Sequence, residues 1–543
     1  LLAAVQVHTQ SRTVANMLPS LAARLAANKL APAKSKVVAT AKRSKTARVT
    51  SAKPLVKSRS VLTRSILPPN VLAAQYAVRG PLVVRAVQIE KALKKGEKFP
   101  FSRVTYCNIG NPHDLGQPPI TWFRQVLSLV ENPASIEDMS YHVSADARRR
   151  AALMNANIGG GTGAYSSSRG LDIVREDVAA FIQARDGKTE TSTGGRYAIP
   201  ENIFLSDGAS PSVSRVLQLL IRSSVDGIMI PIPQYPLYSA TISLLGGSQL
   251  QYYLDESKGW ALSAEELERC YETSVAQGRM PRALVVINPG NPTGQVLPIE
   301  NMKEVIHFCK TKGIVLLADE VYQENVYFKE SKPFHSFKKV KHEMGPEYAD
   351  LELFSFHSVS KGFIGECGKR GGYVEMDGIA QDVMDEYYKL SSINLCPNVL
   401  GQLMVSLMVN PPKPGDESFD DFVRERDEVY HSLQRRAKLV VSTLNSLPGI
   451  KCNSADGAMY AFPTIEFSQK AIDAATAKKQ LPDVFYCHEL LETTGICAIP
   501  GSGFGQAPGT HHIRLTFLPR GQHMTDMLAN LTKFHKDFMA KYQ

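Results

Sequence analysis

Five short runs rich in apolar and β-branched residues recur through the middle of the chain, at 203–206, 227–232, 283–288, 314–318 and 353–356. Each is followed by turn residues and then by a stretch of helical character. A run that is apolar at nearly every position does not suit a strand with one wet face. It suits a parallel strand buried on both faces, and the intervening helices supply the cover. The pattern predicts an α/β fold with a large, doubly wound, mostly parallel sheet over residues 140–415. The run Pro411-Pro412-Lys413-Pro414-Gly415 closes that region. A long polar helix over about 418–446 and short strands at 450–452, 458–462, 496–499 and 513–518 predict a smaller α+β domain over 416–543. Residues 67–139 read as an N-terminal arm, helix and short strand (106–109) that complete part of the small domain. No internal repeat is present.

The formal charge of +10 would suit a nucleic-acid binder, but its distribution argues otherwise. Residues 1–89 hold 15 Lys and Arg and no acid, the first being Glu90; the remainder has 47 basic against 52 acidic residues. The basicity belongs to a tail and not to a binding face. Leu18, Leu21 and Leu25 share one helical face, with Arg24 and Lys29 nearby, and Met17 offers a start within the tail. An acid-free, amphipathic, Arg/Ser-rich tail is the signature of an organelle presequence, expected here over residues 1–66. The mitochondrial matrix is the expected destination and the plastid the alternative. No apolar run reaches the roughly 18–20 residues of a membrane span. The eight cysteines form no C-x-x-C pair and have no histidine at zinc-finger spacing, so they read as reduced thiols and no metal site is expected.

Reactive residue types cluster just after the predicted strands, where ligands bind in an open α/β sheet. Gly208-Ala209-Ser210-Pro211 follows the first strand, Asn291 in Asn288-Pro289-Gly290-Asn291-Pro292-Thr293-Gly294 follows the third, and Asp319-Glu320-Val321-Tyr322 follows the fourth. After the fifth come Ser358-Val359-Ser360-Lys361-Gly362 and then Arg370. Pyridoxal 5′-phosphate needs all of these groups at once. Lys361 would form a Schiff base with its aldehyde, and neighbouring cations are expected to lower the pKa of that amine. Asp319 would keep the ring nitrogen protonated, and Tyr322 and Asn291 would reach the 3′-oxygen. Tyr235, in Pro233-Gln234-Tyr235-Pro236, would stack on the ring. The amides of Ala209 and Ser210 at a helix start, with Ser358 and Arg370, would hold the phosphate. Arg514, flanked by apolar residues at strand spacing, would need an anion if buried, and its fork suits a carboxylate. Gly159-Gly160-Gly161-Thr162-Gly163-Ala164 matches a dinucleotide fingerprint in letters, but it follows a helical stretch and not a strand, so that reading is rejected.

Longer blocks carry a family likeness: Gln75-Tyr76-Ala77-Val78-Arg79-Gly80, Asn108-Ile109-Gly110-Asn111-Pro112, Gly163-Ala164-Tyr165-Ser166, Gln234-Tyr235-Pro236-Leu237-Tyr238, and Pro500-Gly501-Ser502-Gly503-Phe504-Gly505-Gln506. From about residue 71 onward the chain resembles the fold-type-I pyridoxal-phosphate aminotransferases of the alanine aminotransferase group. The resemblance implies an enzyme that transfers an amino group reversibly between L-alanine and 2-oxoglutarate with ping-pong kinetics. It implies a homodimer in which Tyr165 reaches the cofactor phosphate of the partner subunit. It also implies that Arg514 grips the substrate α-carboxylate beside Gly110 and Asn291. Glutamate:glyoxylate aminotransferase is the near alternative. A lyase of the aminocyclopropane-carboxylate synthase type is a remoter one.

Overall fold

A seven-stranded sheet organises the chain between residues 203 and 377. Its strands are β1 (Ile203–Ser206), β2 (Asp226–Ile232), β3 (Ser248–Tyr253), β4 (Met280–Ile287), β5 (Val315–Asp319), β6 (Leu353–Ser358) and β7 (Gly372–Asp377). The structure is a computed structural model that describes residues 62–543. The presequence expectation therefore falls, for residues 1–61, outside the described residues.

The strand order is β1-β7-β6-β5-β4-β2-β3. Neighbours pair in parallel from β6 through β5, β4 and β2 to β3, and β7 alone runs against its two neighbours. The sheet is thus mostly parallel, and each of the five predicted runs is one of its strands within a few residues. Period-two geometry splits each strand between two cores. Leu284, Val286, Leu316 and Ala318 pack on one face with Met302, Val305 and Phe337. Ala283, Val285, Ile287 and Leu317 pack on the other with Val213, Val216 and Leu217. Helices cover both faces, and burying each such large apolar side chain contributes roughly 1.5–3 kcal/mol.

Two strands were not anticipated. β3 (Ser-Gln-Leu-Gln-Tyr-Tyr) lies at the sheet edge and buries only alternate side chains, so it lacks the continuous apolar run. β7 has an acid in its core: Glu375 is buried and accepts a hydrogen bond from the equally buried Lys338. Its reversed direction matters for the site. Gly372, its first residue, pairs with Ser206 and Ser358, the last residues of β1 and β6. The segment just before β7, which carries Arg370, is therefore delivered to the same edge at which the parallel strands end.

A separate three-stranded antiparallel sheet is formed by Tyr460–Ala461, Ile513–Thr516 and Ile499–Pro500. The helix Phe419–Asn445 buries Val429, Leu433, Ala437, Val440 and Leu444 in one stripe of the core around it. That core also takes in Leu82, Ala86 and Ile89 of the helix Pro81–Lys94. The strand Thr105–Tyr106 pairs in parallel with Ile496–Cys497. No helix among the described residues is long and apolar enough to cross a membrane, and all eight cysteines are unpaired thiols.

Candidate active site

A cavity of about 500 Å³ opens where the strand ends of the large sheet face the strand that carries Arg514. Eleven of the twelve sequence-predicted site residues line it: Gly110, Ala209, Ser210, Tyr235, Asn291, Asp319, Tyr322, Ser358, Lys361, Arg370 and Arg514. Tyr165 does not; it lies in a turn region and its surface is 77% exposed. The cavity wall contains four cationic side chains, Arg79, Lys361, Arg370 and Arg514, against one carboxylate, Asp319. Its field favours a ligand with several negative charges.

Asp319 ends β5 with its side chain buried. The Tyr238 hydroxyl donates to its Oδ2 at 2.8 Å, while Oδ1 has no hydrogen-bond partner among the described residues. Burial pushes its carboxyl pKa up, opposed by the Tyr238 hydrogen bond, the nearby Val321 amide and the Lys361 cation. Lys361 Nζ lies 5.3 Å from the Tyr322 ring centroid. Burial would pull its pKa down, but Tyr460, Cys367 and Tyr235 outweigh that and hold it above the ordinary lysine value. The expectation of a lowered pKa is not met. The groups that raise it are phenols and a thiol whose anionic forms would stabilise the ammonium, and they prevail over Arg514.

Ala209 and Ser210 open the helix Ala209–Leu220, whose buried Val213, Val216, Leu217 and Leu220 at helical spacing fix it on the sheet. Gly208, just before it, has φ 88°, and a Cβ there would meet Arg370 Nη2 at 2.5 Å. The Arg370 guanidinium donates to the Asp207 carbonyl at 2.6 Å and to the Cys367 carbonyl at 3.0 Å. It has no carboxylate partner among the described residues, so it retains capacity for an anion. Ser358 Oγ accepts the Ser360 amide at 3.1 Å beside it.

Arg514 is completely buried, yet no carboxylate pairs with it among the described residues. Its Nη1 donates to Asn291 Oδ1 at 2.9 Å, its Nη2 donates to the Asn108 carbonyl, and its Nε is unpartnered. The guanidinium stacks 4.1 Å from the Tyr460 ring centroid and 4.5 Å from that of Phe504. Asn291 Nδ2 reaches the Tyr322 hydroxyl at 3.5 Å, which donates in turn to Tyr460 Oη at 3.4 Å. Burial would raise the Tyr460 pKa, but the Lys361 and Arg514 cations outweigh it and hold the phenol below its ordinary value. A Cβ on Gly110 would lie 2.5 Å from the Tyr460 hydroxyl, so that position admits no side chain without displacing the phenol.

Sequence reasoning assigned no role to Tyr238, Tyr460, Tyr76 or Arg79. Tyr76 and Tyr235 share a hydroxyl–hydroxyl hydrogen bond of 2.7 Å at the cavity wall. Tyr76, Arg79 and Tyr238 stand inside quoted motif blocks, which was the available signal. Tyr460 has none in its neighbourhood; only pairing of its strand with that of Arg514, Tyr460 opposite Thr516, brings it in.

Pyridoxal 5′-phosphate fits this donor set. The unpaired Asp319 Oδ1 matches a protonated ring nitrogen. The unpaired Lys361 amine matches an aldehyde. The cradle of Gly208, Ala209, Ser210, Ser358 and Arg370 matches a phosphate dianion.

Comparison with known proteins gives a consistent picture. The sequence model of the family described as aminotransferase class I and II matches residues 131–529. The chain is 55% identical over 481 residues to a probable mitochondrial alanine aminotransferase of Dictyostelium discoideum, covering 87% of this chain and 89% of that protein. It is 48% identical to glutamate–glyoxylate aminotransferase 2 of Arabidopsis thaliana, covering 88% and 96%. In fold it is similar to an alanine aminotransferase from Pyrococcus furiosus, with TM-score 0.66 at 21% identity, covering 87% of this chain and all of that one.

Proposed function

The chain belongs to the class I and II aminotransferases, which depend on pyridoxal 5′-phosphate, and from that premise we propose how its residues move an amino group between L-alanine and 2-oxoglutarate to give pyruvate and L-glutamate. The alanine aminotransferase relatives support this substrate pair. The observation that carries the reading is one cavity lined by an unpaired lysine amine, a buried carboxylate with one free oxygen, and a buried arginine with no carboxylate. When bound, the cofactor supplies a protonated pyridine ring that draws electrons from the substrate Cα and so weakens the Cα–H bond. Asp319, oriented by Tyr238, keeps the ring nitrogen protonated. Lys361 Nζ would hold the cofactor aldehyde, and its amine is the base placed to take up the substrate Cα proton. Arg514, held by Asn291 and Asn108, grips the α-carboxylate with the planar fork that carboxylates match. Asn291 and Tyr322 donate toward the 3′-oxygen, and Tyr235 packs on the ring. Ala209, Ser210, Ser358 and Arg370 anchor the phosphate.

A second reading, with glyoxylate as the preferred acceptor, is favoured by the 48% identity to a glutamate–glyoxylate aminotransferase. One experiment treats both. Purified, cofactor-saturated protein is given L-alanine with either 2-oxoglutarate or glyoxylate, and initial rates are compared. We expect faster pyruvate formation with 2-oxoglutarate, and a loss of at least about 10²–10⁴-fold in Lys361→Ala. A higher kcat/KM for glyoxylate would move the assignment to the second reading, and undiminished turnover in Lys361→Ala would remove Lys361 from the reaction.

The protein is further proposed to act as a homodimer, with Tyr165 reaching the partner's phosphate site; its exposure in a single chain supports this. The acid-free N-terminal tail and the mitochondrial relative support import into the mitochondrion.

A further inference from the structure

An enzyme that exchanges amino groups between alanine and glutamate meets two side chains in one place, a methyl group and a chain ending in a second carboxylate. That carboxylate needs a partner, because an unpaired charge in a water-poor cavity is costly. Each of the other three cations of the cavity wall has a task in the reading above: Arg514 the α-carboxylate, Arg370 the phosphate, Lys361 the amine transfer. The fourth is Arg79, which lines the same cavity. Its side chain makes no hydrogen bond, ion pair or ring contact with any described residue.

The backbone that carries Arg79 is fixed all the same. It ends the one-turn helix Ala77–Arg79, where Val78 is buried and its carbonyl accepts Asn108 Nδ2 at 3.3 Å. Ala77 packs so tightly on Gly503 that a Cβ there would sit 2.5 Å from the Ala77 methyl. Asn108 also anchors Arg514 through its carbonyl, so one residue ties the two arginines' supports together. An arginine on a fixed stem with an exposed, unpaired head suits both substrates. It stays hydrated when the side chain is a methyl, and it closes on a carboxylate when one is present.

We propose that Arg79 binds the distal carboxylate of glutamate and 2-oxoglutarate, and thereby lets one site accept both a dicarboxylic and a monocarboxylic partner. The proposal rests on the alanine/2-oxoglutarate reading, and its test is built to fail separately. The holoenzyme, its Arg79→Gln and Arg79→Lys variants are titrated calorimetrically with glutarate, a five-carbon dicarboxylate with no amine or keto group. Each half-reaction is then followed by the absorbance change of the bound cofactor. We expect Arg79→Gln to weaken glutarate about 10–100-fold and to lower kcat/KM for glutamate and 2-oxoglutarate by a similar factor, as loss of a charge-assisted pair implies. Alanine and pyruvate should stay within about threefold, and Arg79→Lys should recover part of the loss. An equal fall for all four substrates would make Arg79 merely structural, and no change in any would place the distal partner elsewhere; either overturns the proposal. Wild-type protein that fails to turn over alanine would sink the reaction reading alone, because glutarate binding still reports on Arg79.

Discussion

Asp319 shows how a single buried side chain can be unfinished on its own. Tyr238 satisfies Oδ2, and nothing among the described residues satisfies Oδ1. Burial raises its carboxyl pKa, so a protonated ring nitrogen against Oδ1 would both complete the hydrogen bonds and favour the charged form. We therefore expect Asp319→Asn to retain cofactor, seen as unchanged absorbance per subunit, while turnover falls on the order of 10²–10³-fold, as for loss of one positioned electrostatic partner. Near-normal turnover would exclude Asp319 from that task. The residue types at strand ends were legible because few cofactors require a lysine, a carboxylate, an amide and an arginine together. Tyr238 and Tyr460 were not, because a tyrosine near a strand has an apolar body that reads as core whether or not its hydroxyl faces a site. The rise in the Lys361 pKa was hidden as well, because Tyr460, foremost among the groups that raise it, is far from Lys361 in sequence and reaches it only through the fold.

Elements explain why distant residues meet. The parallel strands β4, β5 and β6 end at one edge, and reversed β7 begins there. The turn between β1 and its helix must pass under Arg370, and only glycine fits, since φ is 88° at Gly208 and a Cβ would touch the guanidinium at 2.5 Å. Gly208→Ala should raise the Kd for pyridoxal phosphate by roughly tenfold or more, from about 1–3 kcal/mol of backbone strain and a displaced Arg370. Fluorescence titration measures this, with thermal melts to confirm folding. Unchanged affinity would mean the turn does not shape the phosphate cradle. Continuous apolar runs made five strands readable. β3 and β7 escaped because their signal is different in kind: β3 alternates at an edge, and β7 carries Glu375, whose cost is offset by Lys338 from a helix elsewhere in the sequence. Such compensation is invisible to any local window.

At the scale of the molecule, the question is whether a single chain completes the site. The basic tail, so legible as a charge asymmetry, bears on the proposed import and not on the proposed reaction. Tyr165 is proposed to serve the chemistry, yet it is exposed and does not line the cavity of its own chain. If it donates to the phosphate of a partner, Tyr165→Phe should weaken pyridoxal phosphate by roughly 10–100-fold, the range of a hydrogen bond to a charged group. That alone does not separate action within a chain from action across an interface. Mixing does. In a heterodimer of Tyr165→Phe with Lys361→Ala chains, the only intact lysine lies in the Tyr165→Phe chain. Action across the interface gives that lysine the unmutated Tyr165 of its partner, so one site per heterodimer should regain wild-type cofactor affinity. Action within the chain leaves the same lysine beside its own Phe, and affinity should stay weak. Activity of purified heterodimers at limiting pyridoxal phosphate reads the difference: about half the wild-type rate supports a shared site, and the rate of the weakened Tyr165→Phe homodimer, halved, rules it out.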